Sequence, residues 1–276
     1  MVERSKPSAA GWSLPDLSVE NEESTTRLAW SLLPRAEGAD ANRRRFLNLM
    51  KLCISDLLYE DDPEWRRKCL EGWGWPGRAV SMIGLRRLNN IEESVEHVLA
   101  NNIPGDIIET GAWRGGAAIF TRAVLAAYDV RDRIVWVADS FQGMPVPDPK
   151  SYPADAGLDL SGEARLAVSL EETQRNFRRY GFLDDQVRFL KGWFKDTLPH
   201  APIERLAILR LDGDLYESTT DALTHLYPRV SSGGYVIVDD YWFPACRRAV
   251  EDYRAAHGIS DEIVPIDSQG AYWIKR

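Results

Sequence analysis

Residues 106–116 read DIIETGAWRGG, an apolar run followed at once by a glycine-rich turn. The run Asp106–Thr110 has the near-continuous apolar composition of a strand in the middle of a parallel sheet. After the turn, apolar residues recur at helical spacing, namely Ile119, Phe120, Ala123, Val124 and Ala127. A strand, a tight turn and a helix in succession form the repeating unit of doubly wound sheets. This stretch therefore predicts an α/β fold.

Four further runs downstream have the same character, and helical patterns separate them. These predicted strands are Ile134–Asp139, Val187–Lys191, Leu206–Leu211 and Tyr235–Asp239. The last segments, EIVPI and AYWIKR, flank a turn at Asp267–Gly270 and are typical of a terminal hairpin. We therefore expect a doubly wound, seven-stranded, Rossmann-like sheet that carries an antiparallel C-terminal strand at its edge.

The chain before this sheet divides into two parts. Residues 1–40 are rich in Ser, Pro, Glu and Arg and are interpreted as an irregular N-terminal arm. Residues 41–104 form a helical region, interrupted by GWGWPG at 72–77, that we expect to serve as a lid, a substrate-binding region or an oligomerisation region. Residues 105–276 then form the α/β domain.

The composition excludes several classes of protein. The chain has 276 residues, 44% of them hydrophobic, and a formal net charge of −8. A general nucleic-acid binder needs a basic face, which this acidic chain lacks. No stretch approaches the ~20 apolar residues of a membrane span, the polar start is unlike a signal peptide, and the three scattered cysteines are typical of a reducing compartment. We therefore expect a cytoplasmic enzyme or binding protein.

The glycine-rich turn and the second strand indicate a nucleoside ligand. Small residues at 111–116 allow a ligand to approach the backbone, and the following helix offers free N–H groups to an anion. Because the spacing is not G-x-G-x-x-G, a dinucleotide is a poor fit. Asp139 ends the second strand, where a carboxylate can accept hydrogen bonds from both hydroxyls of a ribose. These features favour an adenosine-containing ligand without separating NAD from S-adenosylmethionine.

Acids also follow the fourth and fifth strands. Asp212 follows one, and Asp239 and Asp240 end the other. Since neighbouring parallel strands end at the same edge of a sheet, these carboxylates should lie together, where they repel unless a cation neutralises them. Oxygen ligands of this kind suit Mg²⁺. The alternative is helix capping, with Asp214 or Ser218 capping a helix after residue 219.

Five ordered motifs, ETGAWRGG, ADSFQGMP, FLKGWFKDTLP, LDGDLYEST and VDDYW, give the chain a resemblance to the macrocin O-methyltransferase family. The resemblance runs from about Arg78 to the C-terminus. It implies a class I methyltransferase sheet and a metal-dependent enzyme that methylates sugar hydroxyls with S-adenosylmethionine during macrolide or aminocoumarin antibiotic biosynthesis.

The resemblance also implies roles for individual residues. The methionine end of the cofactor would be held by Ser81, Met82, Glu109, Thr110, Gly111, Ala112 and Trp113. The ribose would be held by Asp139, Ser140 and Gln142, and the adenine by Gly192 and Trp193. The metal, Mg²⁺ or a similar divalent cation, would be held by Asp212, Asp239 and Asp240, and Asp212 would also be the general base.

Other functions stay open at this point. A catechol or another phenolic diol would present the same two metal-binding oxygens as a sugar, and a nicotinamide oxidoreductase or a non-enzymatic binding module is a further alternative. The proline-rich insert at 145–160 and the pair Trp73 and Trp75 are each interpreted as a lid or as a packed loop. We expect a small glycosylated natural product as substrate, no nucleic-acid or membrane partner, and a homo-oligomer, a dimer through the apolar N-terminal helix.

Overall fold

The computed structural model describes residues 22–59, 61–74 and 77–276. Its helices are α1 (Glu22–Leu32), α2 (Ala41–Ile54), α3 (Pro63–Glu71), α4 (Leu85–Ala100), α5 (Gly116–Ala127), α6 (Leu170–Arg179), α7 (Phe194–Thr197), α8 (Tyr216–Leu226) and α9 (Pro244–Ala256). Its strands are β1 (Asp106–Thr110), β2 (Val135–Asp139), β3 (Val187–Lys191), β4 (Leu206–Leu211), β5 (Val230–Val238), β6 (Val264–Pro265) and β7 (Ala271–Ile274).

The strands form one seven-stranded sheet in the order β3-β2-β1-β4-β5-β7-β6. Strands β1 to β5 pair in parallel, whereas β7 is antiparallel to both β5 and β6. The predicted fold class and the terminal hairpin are confirmed. Within the hairpin, the C-terminal strand β7 lies next to β5, and the short β6, antiparallel to β7, forms the edge of the sheet.

Both faces of the sheet are covered, which explains why its central strands are apolar throughout. One buried cluster joins Ile107, Val137 and Ile237 to α2, α4 and α5, while the other joins Ile108 and Leu209 to α8 and α9. Strand β4 is buried at every position. Since parallel strands pair at matching heights, the carboxyl ends of β1, β2, β4 and β5 meet at one edge of the sheet.

The region before the sheet corrects one expectation. The interpretation of residues 1–40 as irregular is wrong for Glu22–Leu32, which forms α1; residues 1–21 lie outside the described residues. Helix α1 buries Ala29 against the core, so tertiary packing stabilises a segment whose composition resembles a loop. Over the described residues, no helix combines the length and the apolar character needed to cross a membrane.

Candidate active site

Two adjoining cavities open at the carboxyl edge of the sheet. The larger, about 330 Å³, extends from the glycine turn to Gly192 and Trp193 and reaches α8. The smaller, about 90 Å³, lies between the glycine turn and Gly72, Gly74 and Trp242. Both are lined by Met82, Trp113, Leu166, Asp212 and Asp214. In this protein, cavities therefore lie at the edge where doubly wound sheets bind ligands.

The glycines of the turn make room for the chain itself. A Cβ on Gly111, where φ is +95°, would lie 1.7 Å from the carbonyl oxygen of Asp212. A Cβ on Gly116 would lie 2.4 Å from the carbonyl oxygen of Val80. Segments of the protein thus occupy the space on the Cβ side of both glycines, and Gly111 allows the ends of β1 and β4 to meet. Gly111 also lines the larger cavity and Gly116 the smaller one, so the expectation that small residues let a ligand approach here stays a prediction.

Asp139 joins the end of β2 to the glycine turn. Its Oδ2 accepts hydrogen bonds from the backbone N–H of Ala112 at 2.7 Å and of Trp113 at 3.3 Å, and its Oδ1 accepts one from Phe141 at 2.7 Å. Burial raises the pKa of Asp139, although these hydrogen bonds oppose the shift. The side chain lines the larger cavity, where the Ser140 hydroxyl lies 3.4 Å from Oδ1.

The predicted acid cluster forms around a buried arginine that the sequence reasoning missed. Carboxylate oxygens of Asp212, Asp239 and Asp240 lie within 4.8 Å of one another. Behind them, the Arg210 guanidinium of β4 donates to Glu109 at 2.6 Å, to Asp212 at 2.7 Å and to Asp239. A second guanidinium, that of Arg87, donates to the other oxygen of Asp239. The acids are therefore partly neutralised from inside the protein.

The remaining negative charge is held on the cavity side. Burial, followed by repulsion from Asp214, Asp212 and Asp239, raises the pKa of Asp240 well above its usual range. Burial and then repulsion from Asp239 also raise the pKa of Asp212. The charged forms of Asp212 and Asp240 are therefore both disfavoured by their surroundings.

This donor set fits a divalent cation. A hard cation among these oxygens would favour the ionised carboxylates of Asp212 and Asp240 and relieve the repulsion that raises their pKa values. Asp212 faces the cavity with 27% of its side chain exposed, so an ion there would also have room for oxygen ligands from water or substrate. The described residues thus support the predicted ligand set on chemical grounds.

Glu109 gives a pH-dependent prediction. Burial raises its pKa to about 8, so over the interval between about 4.5 and 8 the folded protein holds a proton that the unfolded chain has released. In metal-free buffer, the free energy of unfolding of the wild type should therefore fall relative to that of Glu109→Gln as the pH rises from 6 to 9. Urea denaturation of both proteins across this range measures the difference, and parallel curves would contradict it.

The insert at 145–160 contacts the site through a residue that caps helix α8, which is distant from the insert in sequence. Asp155 is fully buried, and its carboxylate accepts from the backbone N–H of Tyr216 at 2.6 Å and of Glu217 at 3.2 Å. Helix α8 was expected after residue 219; it begins at Tyr216, so Ser218 lies inside it. The insert thereby fixes the first turn of a helix that lines the larger cavity with Glu217, Ser218 and Asp221.

Removing this cap should loosen the insert. Asp155→Ala is expected to lower the free energy of unfolding by about 1–2 kcal/mol, because two backbone donors at the start of α8 lose their acceptor. It should also speed limited proteolysis within 145–160. The control is Asp148→Ala, which removes an exposed acid that bonds only within its own turn in the described structure. Equal proteolysis of the two variants would contradict the anchoring role.

The predicted cofactor residues are distributed as follows. Most of them line the cavities: Ser81, Met82, Glu109, Gly111, Ala112, Trp113, Asp139, Ser140, Gly192 and Trp193. Thr110 lies behind the site and donates to the Arg210 carbonyl, and Gln142 is exposed and lines neither cavity within the described residues. Of the predicted aromatic pair, Trp73 packs edge-on against Trp242 at 5.2 Å, while Trp75 lies outside the described residues.

Sequence comparisons identify related proteins. The macrocin-O-methyltransferase (TylF) family model matches residues 39–275. The chain is 54% identical to mycinamicin III 3''-O-methyltransferase of Micromonospora griseorubida, over 83% of this chain and 95% of the relative. It is 52% identical to demethyldecarbamoylnovobiocin O-methyltransferase of Streptomyces niveus, over 88% of this chain and 97% of the relative.

Structural comparisons agree. The O-methyltransferase NovP superimposes with a TM-score of 0.82 at 54% identity and covers 84% of this chain and 99% of its own. The calicheamicin methyltransferase CalS11 superimposes with a TM-score of 0.56 at 19% identity, over 98% of this chain and 99% of its own, and so shows a shared fold alone.

Proposed function

The chain belongs to the macrocin-O-methyltransferase family, and on that premise we propose that it transfers a methyl group from S-adenosylmethionine to a sugar hydroxyl of a glycosylated natural product, with the help of a divalent cation such as Mg²⁺. The names of the relatives support the substrate class. Besides the mycinamicin and novobiocin enzymes, a 53% identical relative from Streptomyces olivaceus is named as a 4'-O-methyltransferase of a dimethoxy-rhamnosyl tetracenomycin.

The proposal rests on two groups of carboxylate side chains, one suited to a nucleoside and one suited to a cation, that share a cavity. Asp139, Trp193, Asp212 and Asp214 line the larger cavity, and Asp239 and Asp240 line the adjoining smaller one, which Asp212 and Asp214 also line. The carboxylate proposed for the nucleoside and one of those proposed for the cation are therefore exposed to the same space. Since methyl transfer from a sulfonium is an in-line displacement, most of the acceleration comes from positioning donor and acceptor in such a shared space.

The residues at the glycine turn and at the ends of β2 and β3 would bind the cofactor. Asp139 would accept hydrogen bonds from the ribose, with Ser140 beside it. Met82, Gly111 and Trp113 would surround the methionine end, and Trp193 would contact the adenine. The chemistry that S-adenosylmethionine supplies when bound is an electrophilic methyl group.

The acid cluster would activate the acceptor. A sugar hydroxyl is a weak nucleophile near neutral pH, and a bound divalent cation lowers the pKa of a hydroxyl that it contacts. Asp212, Asp239 and Asp240 would hold that cation. Asp212, whose other oxygen is fixed by Arg210, would accept the proton of the acceptor hydroxyl. The Arg210 hydrogen bond keeps the basic oxygen pointed at the cavity.

Calorimetry tests the cofactor class directly. Titration of the protein with S-adenosylmethionine and with NAD, each with and without Mg²⁺, should show saturable binding of S-adenosylmethionine and none of NAD. Because the glycine turn, rather than the acid cluster, holds the Asp139 carboxylate, S-adenosylmethionine should bind in the absence of Mg²⁺ as well. Saturable NAD binding without S-adenosylmethionine binding would reject the methyltransferase proposal.

A further inference from the structure

Arg87 of α4 is buried, with 4% of its side chain exposed, beside the predicted cation site. Its guanidinium connects three segments that are remote in sequence. Nε donates to Asp267 at 3.0 Å, Nη1 donates to Asp239, and Nη2 donates to the carbonyl of Gly72 at 3.3 Å. Each contact uses a different nitrogen of the same planar group, so the three partners together fix the plane of the guanidinium.

The space around Arg87 is shaped for this side chain. Gly72 has a φ of +73°, and a Cβ there would lie 2.1 Å from Nη2 of Arg87. A Cβ on Gly270 would lie 3.1 Å from its Cδ. Two glycines from different segments therefore make room for one arginine.

The two other partners of Arg87 are held independently of the acid cluster. Oδ1 of Asp267 accepts from the backbone N–H of Gln269 and of Gly270, each at 2.8 Å. The Gln269 amide in turn donates to the carbonyls of Glu71 and Gly72, each at 3.1 Å. The guanidinium is consequently preorganised before it meets Asp239.

Both carboxylate oxygens of Asp239 accept hydrogen bonds from guanidinium groups. Arg87 donates to Oδ2, and Arg210 donates to Oδ1. The two guanidinium groups have two opposite effects on a site for a divalent cation. Their charge weakens the attraction of the cluster for a divalent ion, whereas their directional hydrogen bonds keep the carboxylate in one orientation.

We propose that Arg87 is a positioning residue for the divalent-cation site: it sets cation affinity by orienting Asp239, and it ties that site to the 72–74 wall of the smaller cavity. This rests on the proposed function, which assigns a cation to Asp212, Asp239 and Asp240. Orientation outweighs charge in this proposal, so loss of the guanidinium geometry weakens cation binding even when the positive charge is retained.

The test is Mn²⁺ binding, measured by calorimetry without S-adenosylmethionine, to wild type, Arg87→Lys and the control Arg122→Lys. Lysine keeps the charge but cannot contact all three partners in one plane. Arg87→Lys should raise the Kd for Mn²⁺ at least about tenfold, as outer-sphere changes at metal sites do. Arg122 pairs with Asp184 and lines neither described cavity, so its variant should keep the wild-type Kd.

Three outcomes decide the proposal, with the thermal midpoint of each protein recorded alongside. Unchanged Mn²⁺ binding by folded Arg87→Lys would overturn the proposal. Tighter binding would also overturn it, because it would show that the positive charge at residue 87 affects cation affinity more than the orientation of Asp239 does. If Arg87→Lys does not fold, Asp267→Asn keeps one acceptor oxygen for the N–H groups of Gln269 and Gly270 but removes the oxygen that accepts from Arg87. It should raise the Kd in the same direction, and an unchanged Kd overturns the proposal. Failure of the wild type to bind Mn²⁺ would contradict the cation site itself, and the role of Arg87 with it.

Discussion

Asp212→Asn is expected to lower kcat by about a thousandfold while leaving the affinity for S-adenosylmethionine unchanged. The substitution removes the proposed proton acceptor, and general-base groups contribute about 10²–10⁴-fold to rate. Asparagine has the same shape and can still accept a hydrogen bond from Arg210, so the wall of the cavity should persist. Steady-state methyl transfer measures the first effect, and calorimetry measures the second.

The matched control is Asp129→Asn, an isosteric change at an exposed acid with 81% of its side chain accessible. It should retain wild-type turnover and binding. Full activity in Asp212→Asn would rule out Asp212 as the base. Loss of cofactor binding together with activity would show instead that Asp212 supports the cavity as a whole.

Arg210→Met is expected to lower the free energy of unfolding by about 3–5 kcal/mol at pH 8. Arg210 is 4% exposed and contacts Glu109, Asp212 and Asp239. Methionine can follow the arginine side chain only as far as Nε and has no charge, so these carboxylates would face one another in a buried place without compensation. This is the largest stability effect that we expect from a single substitution at the site.

The destabilisation should depend on pH in a defined direction. Burial already raises the pKa values of Glu109 and Asp212, and the loss of Arg210 raises them further above those of the unfolded chain. The cost therefore appears at high pH and diminishes as these acids take up protons. Urea denaturation of metal-free protein at pH 8 and pH 6 should show a smaller difference from wild type at pH 6. The control is Arg188→Met on the edge strand β3, whose exposed side chain should contribute less than about 0.5 kcal/mol. An equal cost at both pH values would contradict the electrostatic origin.

The sequence was sufficient to predict the sheet and the clustering of its acids. The apolar runs predicted as strands match the observed bounds of β1 to β4 to within one residue. This is because strands buried on both faces have nearly continuous apolar sequences. Once the strands are placed, Asp212 and Asp239 must meet, since β4 and β5 pair in parallel and end at the same height.

The side chains that organise those acids could not be predicted in the same way. Arg210 left a signal, because it is a charged residue within the apolar run LAILRL and needed buried partners. Arg87 left none, since its contact with Asp239 spans 152 positions and two adjacent arginines on a helix are usually a solvated face. The cap from Asp155 to α8 is equally non-local. Periodicity reports which face of an element is buried, but it does not report which distant polar group will be buried against it.

Transfer of a labelled methyl group from S-adenosylmethionine, compared between metal-free and Mg²⁺-supplemented enzyme, tests the central claim most directly. The acceptors would be a panel of deoxysugar glycosides, with a catechol as the competing diol. We expect label on a sugar hydroxyl, lost after treatment with EDTA and restored by Mg²⁺. Undiminished transfer by the metal-free enzyme, or transfer to the catechol and to no glycoside, would contradict a cation-assisted sugar O-methyltransferase.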